Sequence, residues 1–355
     1  MTAPTLRWAG DDRLSGPPVP PWAVAAAAAV LLAAGLPWLV EPYTLTTLAR
    51  IMALGLLAVS VAVLTGHAGM PTLGQVAPYA VGAYTTALLA KAGHTTGPVQ
   101  LLVAAGAAGL FSVLVGIPLV RTRGVVFLMV TLAVGELAAV GADQWRAVTG
   151  GTDGLAGIPA VTLTTGGDAL TVTGRYWFVL GATAAALALV WWWLRSPMGM
   201  VLRGIRDNEA RMHASGHHVA GVLLATYVGA GALAGVGGSL LVATQRYVSP
   251  ADVSFHISAL VLLAVIVGGA HSMIGAFVGA ALVVTVRDWA AATVPGHGPL
   301  LLGAVFIAAV YALPNGLAGA WRPGSGAWRP GSGAHRLRRA AGRLAPWSAR
   351  RGQDR

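Results

Sequence analysis

One stretch of the sequence concentrates the charged side chains that could bind or move a partner. It spans residues 195–218, RSPMGMVLRGIRDNEARMHASGHH, and is the longest polar segment between long apolar runs. Opposite charges three or four positions apart are neighbours on a helix surface. That spacing joins Arg203 to Asp207, Asp207 to Arg211 and Arg206 to Glu209. The pattern predicts a charged helix, and two interpretations stay open: a surface bound by another protein, or a solvated helix without a partner.

The same stretch carries residues that begin and end helices. Ser196-Pro197 predicts the start, because proline is tolerated in the first turn of a helix. Gly216 predicts the end, because glycine readily adopts the left-handed conformation that closes many helices. We therefore predict a single helix between these two signals.

Motifs for common enzymatic chemistry are missing from the sequence. Lys91 is the only lysine and follows an alanine, so the Gly-Lys pair of a Walker A phosphate-binding loop cannot occur. None of the three glutamates follows a histidine, which excludes the HExxH zinc motif, and no GxSxG occurs. His213, His217 and His218 lie close together, but the neighbouring arginines repel a metal cation. We expect no catalytic residue, no metal and no cofactor bound by this chain.

The composition indicates a membrane protein. The chain has 355 residues, of which 56% are hydrophobic and only 10% are charged, whereas a soluble domain carries about 25% charged residues. The absence of cysteine excludes disulfides and thiolate metal sites. The net charge of +11 does not point to nucleic acid, because nine of the 23 basic residues lie after Trp321 and others flank apolar runs. We predict an all-α polytopic membrane protein.

Ten apolar runs predict a bundle of about ten transmembrane helices. The run at 73–90 contains Pro78 and the run at 256–270 is short, so we expect a broken or re-entrant element at one of them. The runs lie at residues 22–40, 44–64, 73–90, 98–120, 124–143, 176–194, 219–243, 256–270, 275–292 and 300–313.

The basic residues predict how the chain is oriented. With the N-terminus in the cytoplasm and alternating spans, eight basic residues outside the tail fall on the cytoplasmic side and four on the outer side. Basic residues favour the cytoplasmic side, so the count places both termini and residues 195–218 inside the cell. The membrane domain covers residues 22–313. We expect the Pro-rich residues 1–21 and the basic tail, residues 314–355, to be disordered, with the tail touching anionic lipid.

Several residues within the spans are unusual for plain lipid-facing helices. Glu136 is the one acid deep in a span, where a charge costs about 2.5–3.5 kcal/mol, so it should face other helices or water. It is either a pathway residue or a structural hydrogen-bond acceptor. The run 66–84 is interrupted by glycine and proline, which indicates either a pathway or a kinked structural helix. GxxxG pairs, which let helices approach closely, occur at Gly231 with Gly235 and at Gly275 with Gly279.

These segments together resemble the LivM-type permease subunits of ABC importers for branched-chain amino acids. Thr72 stands where that family usually has serine, and Met200 where it usually has arginine. The blocks that carry the resemblance are GHAGMPTLGQVAPYAVGAY at 66–84, GVVFLMVTLAVGELAAV at 124–140, TGGTDGLAGIP at 149–159, SPMGMVLRGIRDNEARMHASGHHV at 196–219, YVSP at 247–250 and VIVGGAHSMIGAFVGA at 265–280.

The resemblance implies a set of partners. A LivH-like permease subunit would complete the translocation pathway in a bacterial plasma membrane. Two cytoplasmic ABC ATPase subunits would use ATP to drive transport, and an extracytoplasmic substrate-binding protein would deliver the cargo.

The resemblance also implies roles for particular residues. Residues 199–213 would be a coupling helix seated on an ATPase subunit, with contacts from Arg203, Arg206, Asp207, Asn208 and Glu209. The outer loops, near 246–252 and at Thr149, Gly150, Gly151, Asp153 and Gly154, would face the binding protein. The pathway would be lined or supported by Gly66, Gly69, Thr72, Gly74, Gly82 and Glu136.

Three alternatives to this function stay open. A related ABC permease for urea, short amides or sugars would have the same architecture. An intramembrane enzyme would need a nucleophile or metal motif that the sequence does not contain. A passive channel would conduct without any ATPase.

Overall fold

The computed structural model describes residues 33, 35–38, 40–164, 166–293, 303, 316 and 317. The elements of regular structure within these residues are helices, which confirms the predicted all-α class. Residues 1–21, most of the first and last predicted spans and most of the tail lie outside the described residues, and so does the disorder expected of the two ends.

Six of the predicted spans are confirmed as helices long and apolar enough to cross a membrane, namely α1 with its extension, α3, α4, α5, α8 and α10. A π-helical turn, Val63–His67, extends α1. The principal helices are α1 (Pro42–Ala62), α2 (Val76–Lys91), α3 (Gly97–Leu119), α4 (Gly124–Gln144), α5 (Val172–Arg195), α6 (Pro197–Asp207), α7 (Glu209–Ala214), α8 (Val219–Gln245), α9 (Phe255–Gly268) and α10 (Met273–Thr293).

Two further predicted spans form shorter helices. The run at 256–270 is α9, which has 14 residues. The run at 73–90 is α2, which has 16 residues and follows a non-helical stretch, residues 68–75. The expectation that Pro78 interrupts this span is wrong: Pro78 is the third residue of α2, where its missing N–H has no partner to lose. The break lies before the helix.

Helix α1 is the centre of the bundle. In its most apolar stretch of 18 residues, 83% of the residues are buried, whereas the corresponding share is 22% in α4 and in α5. Its residues Leu56, Leu57, Ala58 and Val59 have no exposed surface. A helix surrounded by other helices cannot contact lipid, so α1 is the central helix and the other spans pack around it.

Small residues set the spacing of the helices, as the GxxxG pairs predict. A Cβ on Gly235 of α8 would lie 2.3 Å from Ala108 Cβ of α3, and one on Gly231 would lie 1.8 Å from Ser112 Oγ. A Cβ on Gly279 of α10 would lie 2.1 Å from the Ala264 carbonyl oxygen of α9. These glycines allow backbones to approach to distances that any side chain would prevent.

The connections between spans gather at two opposite ends of the bundle. At one end, the end of α1 meets the α9–α10 turn and residues 195–218, since Gly66 lies against Ala270 and its carbonyl oxygen accepts a hydrogen bond from Arg206. At the other end, Thr96 and Thr162 form a β-bridge, as do Leu155 and Val248. The contacts agree with the alternating topology predicted from the sequence.

Candidate functional site

The charged segment, residues 195–218, folds as two helices rather than one. Pro197 begins α6 and Gly216, with φ +80°, follows α7, so both predicted end signals are confirmed. The single-helix prediction is wrong at Asn208, which has an extended backbone (φ −160°, ψ 97°). Its side-chain oxygen accepts a hydrogen bond from the Arg211 backbone N–H at 2.9 Å and so caps α7. The chain therefore turns sharply in the middle of the segment.

The ion pairs predicted from helical spacing are also wrong for the described residues. Arg203 donates to the Leu194 carbonyl oxygen at 3.2 Å. Asp207 accepts from the adjacent Arg206, with distances of 3.1 and 3.2 Å to one carboxylate oxygen. Glu209 is paired across the fold, because the bend at Asn208 places it on a different face from Arg206. Local spacing fails here because the charges are used to fasten the segment to the bundle.

One face of α6 is buried against the bundle and the other is open. Leu202 and Ile205 are almost fully buried. Asp207, with 69% of its side chain exposed, lies on the open face with Arg203 and Asn208. A short amphipathic helix of this kind presents polar groups outward while its apolar side anchors it.

Arg206 connects α6 to the end of α1. Its guanidinium donates to the Gly66 carbonyl oxygen at 2.8 Å. Its aliphatic stem packs on Gly69, where a Cβ would come within 2.8 Å of Arg206 Cγ, and Gly69 has φ +71°. Glycine at position 69 therefore provides both the left-handed turn and the space for the arginine stem.

Glu209 connects α7 to the start of α4. Arg123, immediately before α4, donates from Nε at 2.9 Å and from Nη2 at 2.7 Å to the two carboxylate oxygens. Two parallel bonds of this kind are the strong geometry for a guanidinium and a carboxylate. The Arg123 bond lowers the pKa of Glu209, and Glu209 in turn raises the pKa of Arg123. Both groups therefore stay charged at neutral pH.

The non-helical residues 68–75 run between the end of α1 and the start of α2. Thr72 and Gln75 are fully buried. Gly74 packs on α4, where a Cβ would lie 2.5 Å from the Thr131 carbonyl oxygen. Thr72 Oγ1 accepts from the Gly74 N–H at 3.1 Å. Irregular backbone at this depth is tolerated because it is enclosed by protein.

The predicted pathway residues are divided between several places. Gly66, Gly69, Thr72 and Gly74 belong to the irregular stretch and its approach. Gly82 lies instead in the contact between α2 and α8, where a Cβ would be 2.2 Å from the Gly235 carbonyl oxygen. Their roles in transport stay predictions.

Glu136 points outward from the bundle, away from the irregular stretch. Thr131 and Gly135 form the buried face of α4, and Glu136 lies on the exposed face. Among the described residues no hydrogen bond reaches its carboxylate. The expected contact with other helices is therefore not made by the described part of the chain.

The two loops at the opposite end of the bundle form one structure, the loop platform, made of residues 149–158 and 246–253. The Leu155 and Val248 backbones exchange hydrogen bonds at 2.8 and 3.2 Å. Arg246, in a left-handed conformation (φ +56°), donates from Nε to the Ile158 carbonyl oxygen at 2.9 Å. The Tyr247 hydroxyl donates to the Asp153 carbonyl oxygen at 3.0 Å. The platform thus includes the loop residues predicted from the sequence, Thr149, Gly150, Gly151, Asp153 and Gly154.

Arg123 is the functional candidate that the sequence did not reveal. It lies 86 positions from Glu209, and nothing in either local pattern pairs them. The only local signal was a basic residue at the boundary of an apolar run, which orientation in the membrane already explains.

Comparison with known proteins gives one consistent result. The family described as "Branched-chain amino acid transport system / permease component" matches residues 43–310. The high-affinity branched-chain amino acid transport system permease protein LivM of Escherichia coli is 29% identical over 325 residues, covering 83% of this chain and 75% of that protein. LivM of Salmonella typhimurium is 30% identical over 313 residues, covering 80% and 71%. No solved structure matches. Since the match takes in the six long spans, the charged segment and the loop platform, the chain belongs to the permease family of branched-chain amino acid transport systems.

Proposed function

We propose that this chain is a permease subunit of an ABC importer for branched-chain amino acids, working with a LivH-like second permease. Two cytoplasmic ATPase subunits drive transport, and one of them binds the charged segment of this chain. A substrate-binding protein docks on the loop platform outside. Both termini lie in the cytoplasm. The observation that carries the proposal is the charged segment itself. Its open face is polar and is not covered by any of the described residues, while Arg206 and Glu209 bond it to two membrane elements.

The two bonds provide a route for force from an ATPase to the membrane domain. Movement of α6 pulls on the end of α1 through Arg206 and Gly66. Movement of α7 pulls on α4 through Glu209 and Arg123. Because α4 also packs on residues 72–74 and reaches the loop platform at its far end, a displacement of the charged segment reaches the outer side as a shift of one helix.

The proposed roles divide the charged residues into two groups. Arg203, Asp207 and Asn208, on the open face, are the candidates for direct contact with the ATPase. Arg206 and Glu209 fasten the segment to this chain and transmit its movement. Since the chain has no Walker A motif, the nucleotide chemistry takes place on the partner subunits, and ATP is not a ligand of this chain.

The function is tested by transport in a reconstituted system. The chain is co-purified with the subunits bound to it, placed in liposomes, and assayed for uptake of radiolabelled leucine with and without ATP and the binding protein. We expect uptake to require both. Flux through the chain alone without ATP would indicate a passive channel, and preference for urea, a short amide or a sugar would overturn the assigned cargo.

The loop platform gives a separate prediction. Gly154 and Gly157 both have φ +70°, but a Cβ on Gly154 would lie 2.4 Å from the Val248 carbonyl oxygen, whereas one on Gly157 meets nothing within 4 Å. Gly154→Ala should therefore separate the two loops and reduce ATP hydrolysis to the level seen without binding protein. Gly157→Ala also places a side chain at positive φ, and it should leave the stimulation of ATP hydrolysis by the binding protein intact. ATPase assays with added binding protein measure both, and equal behaviour of the two variants would contradict the docking role.

A further inference from the structure

The outward face of α4 differs from the outward faces of the other peripheral spans. Exposed residues recur along α4 at helical spacing and form one stripe: Val126, Met129, Ala133, Glu136, Leu137, Val140 and Gln144. The corresponding stripe of α3 is apolar and contains Leu102, Leu110, Leu114 and Ile117. The stripe of α5 carries Trp177, Leu189 and Trp192, with tryptophan near both ends as is typical of lipid-facing helices.

Glu136 lies near the middle of α4, so its carboxyl group is at the depth where lipid is least tolerant of charge. It is two residues past Val134, the midpoint of the helix, or about 3 Å along the axis. The other Asp, Glu, Lys and Arg residues within the described spans are placed differently. Arg50 and Arg287 both pair with Asp288 between α1 and α10. Arg175 lies in the first turn of α5, and Lys91, Asp143 and Arg195 lie in the last turns of their helices. A carboxyl group in mid-membrane that makes no bond to the described residues must face water or polar groups of protein.

We propose that the outward face of α4 is one wall of a water-containing passage between this chain and the second permease subunit, and that Glu136 interacts with the ammonium group of the passing amino acid. The inference rests on the proposed function and names a site within it. A second permease subunit is the occupant that fits, because it covers the stripe across the full thickness of the membrane while leaving room for cargo beside the acid.

The chemistry of the cargo supports a carboxylate at this depth. A branched-chain amino acid carries an ammonium group, a carboxylate and an aliphatic side chain. The α4 stripe offers apolar surface from Met129, Leu137 and Val140, which suits the aliphatic part. Glu136 supplies the negative charge that compensates the ammonium group in a region of low dielectric constant. Ala133, one turn before Glu136, leaves space beside the carboxyl group.

The bonds at the two ends of α4 connect this wall to the charged segment and to the loop platform. Arg123 at the start of α4 is bonded to Glu209, and the far end of α4 continues into the loop platform. A shift of α4 along or about its axis therefore moves Glu136 relative to the second subunit. The same helix would then carry the force and present the group that meets the cargo.

The first test uses the absence of cysteine, which gives single-cysteine variants no background. Cysteine is placed at Ala133 and at Leu137 of α4, and as matched controls at Leu110 and Leu114 of α3, where the native side chains are 64% and 65% exposed. The intact importer in its membrane is treated with a membrane-impermeant charged thiol reagent, with and without ATP. We expect labelling at the α4 positions and none at the α3 positions. Protection of both helices alike would overturn the passage.

The second test separates an interaction with cargo from a structural role. Glu136→Gln should reduce the maximal rate of ATP-driven leucine uptake on the order of tenfold to a hundredfold, while the leucine concentration for half-maximal rate stays that set by the binding protein. Glu136→Asp should retain most of the rate, and both variants should be recovered in assembled importer at the wild-type level. Undiminished uptake by Glu136→Gln would overturn the role of Glu136 and leave the importer function standing. Loss of assembly in both variants would assign Glu136 to structure instead.

Discussion

Exchanging the charges of Arg123 and Glu209 together should largely restore transport that is lost when either charge is reversed alone. Glu209→Arg places two guanidinium groups where a bidentate ion pair was formed, and Arg123→Glu places two carboxylates there. Either change releases α7 from the start of α4. We expect leucine uptake to fall by about 5- to 150-fold, the usual range for loss of coupling between two sites. The double variant, Arg123→Glu with Glu209→Arg, recreates the pair in reverse.

The double variant distinguishes two roles for Glu209. If Glu209 contacts an ATPase subunit, as the sequence resemblance implied, reversing Arg123 cannot repair Glu209→Arg. If Glu209 transmits movement to α4, reversing Arg123 can restore transport in the Glu209→Arg variant. Arg121→Glu is the matched control, because Arg121 is exposed in the same turn and makes no ion pair among the described residues. The measurement is leucine uptake in proteoliposomes. If the double variant assembles normally but does not recover uptake, Glu209 does not transmit movement to α4.

Stability measurements on the same variants should show little change. The two side chains are 39% and 36% exposed, so solvent screens the pair, and such pairs contribute about 0–1 kcal/mol to folding. The pKa of Glu209 is lowered in the folded chain. Its contribution is therefore complete above the ordinary carboxyl pKa and is lost only as the pH falls through the lowered value. Assays at neutral pH report on coupling rather than on protonation.

Periodicity and composition predicted the spans well but could not locate the breaks between them. Long apolar runs specify membrane helices because lipid offers the backbone no partners. The stretch 68–75 is different, since it is held by contacts to α4 such as Gly74 on Thr131. Pro78 suggested a break at the wrong place because proline ends some helices and begins others.

The charged segment shows why local spacing misled at the candidate site. Helical spacing paired Arg206 with Glu209, three positions later. Its guanidinium instead bonds a backbone carbonyl 140 positions away. The sequence could not predict the outward position of Glu136 either. The face of α4 that packs on residues 72–74 fixes how the helix is turned about its axis, and so fixes the direction of Glu136. Tertiary contacts over such separations leave no local pattern in a single sequence.

Gly82→Val should prevent the bundle from forming. A Cβ at position 82 would lie 2.2 Å from the Gly235 carbonyl oxygen and 2.5 Å from Gly235 Cα, so the clash is with backbone that cannot rotate away. Gly235 cannot retreat, because a Cβ built on it would already be 2.3 Å from Ala108 Cβ. Three helices, α2, α8 and α3, therefore meet at this point. Overpacking typically lowers the free energy of unfolding by about 1–3 kcal/mol, and we expect a loss at or above the upper end of that range. The measurement is the yield of monodisperse protein after extraction in detergent, which should fall.

Gly106→Val on α3 is the matched control for Gly82→Val. Gly106 is also a helical glycine within a membrane span, but a Cβ there meets nothing within 4 Å. The same change of residue should therefore leave the yield and thermal unfolding of Gly106→Val near those of the unsubstituted chain. Gly82→Ala adds one carbon and tests whether position 82 belongs to the pathway instead. If Gly82→Ala folds normally but transports poorly, residue 82 acts on the cargo; if its yield and unfolding temperature fall while Gly106→Val is unaffected, its glycine is required by the contact with α8.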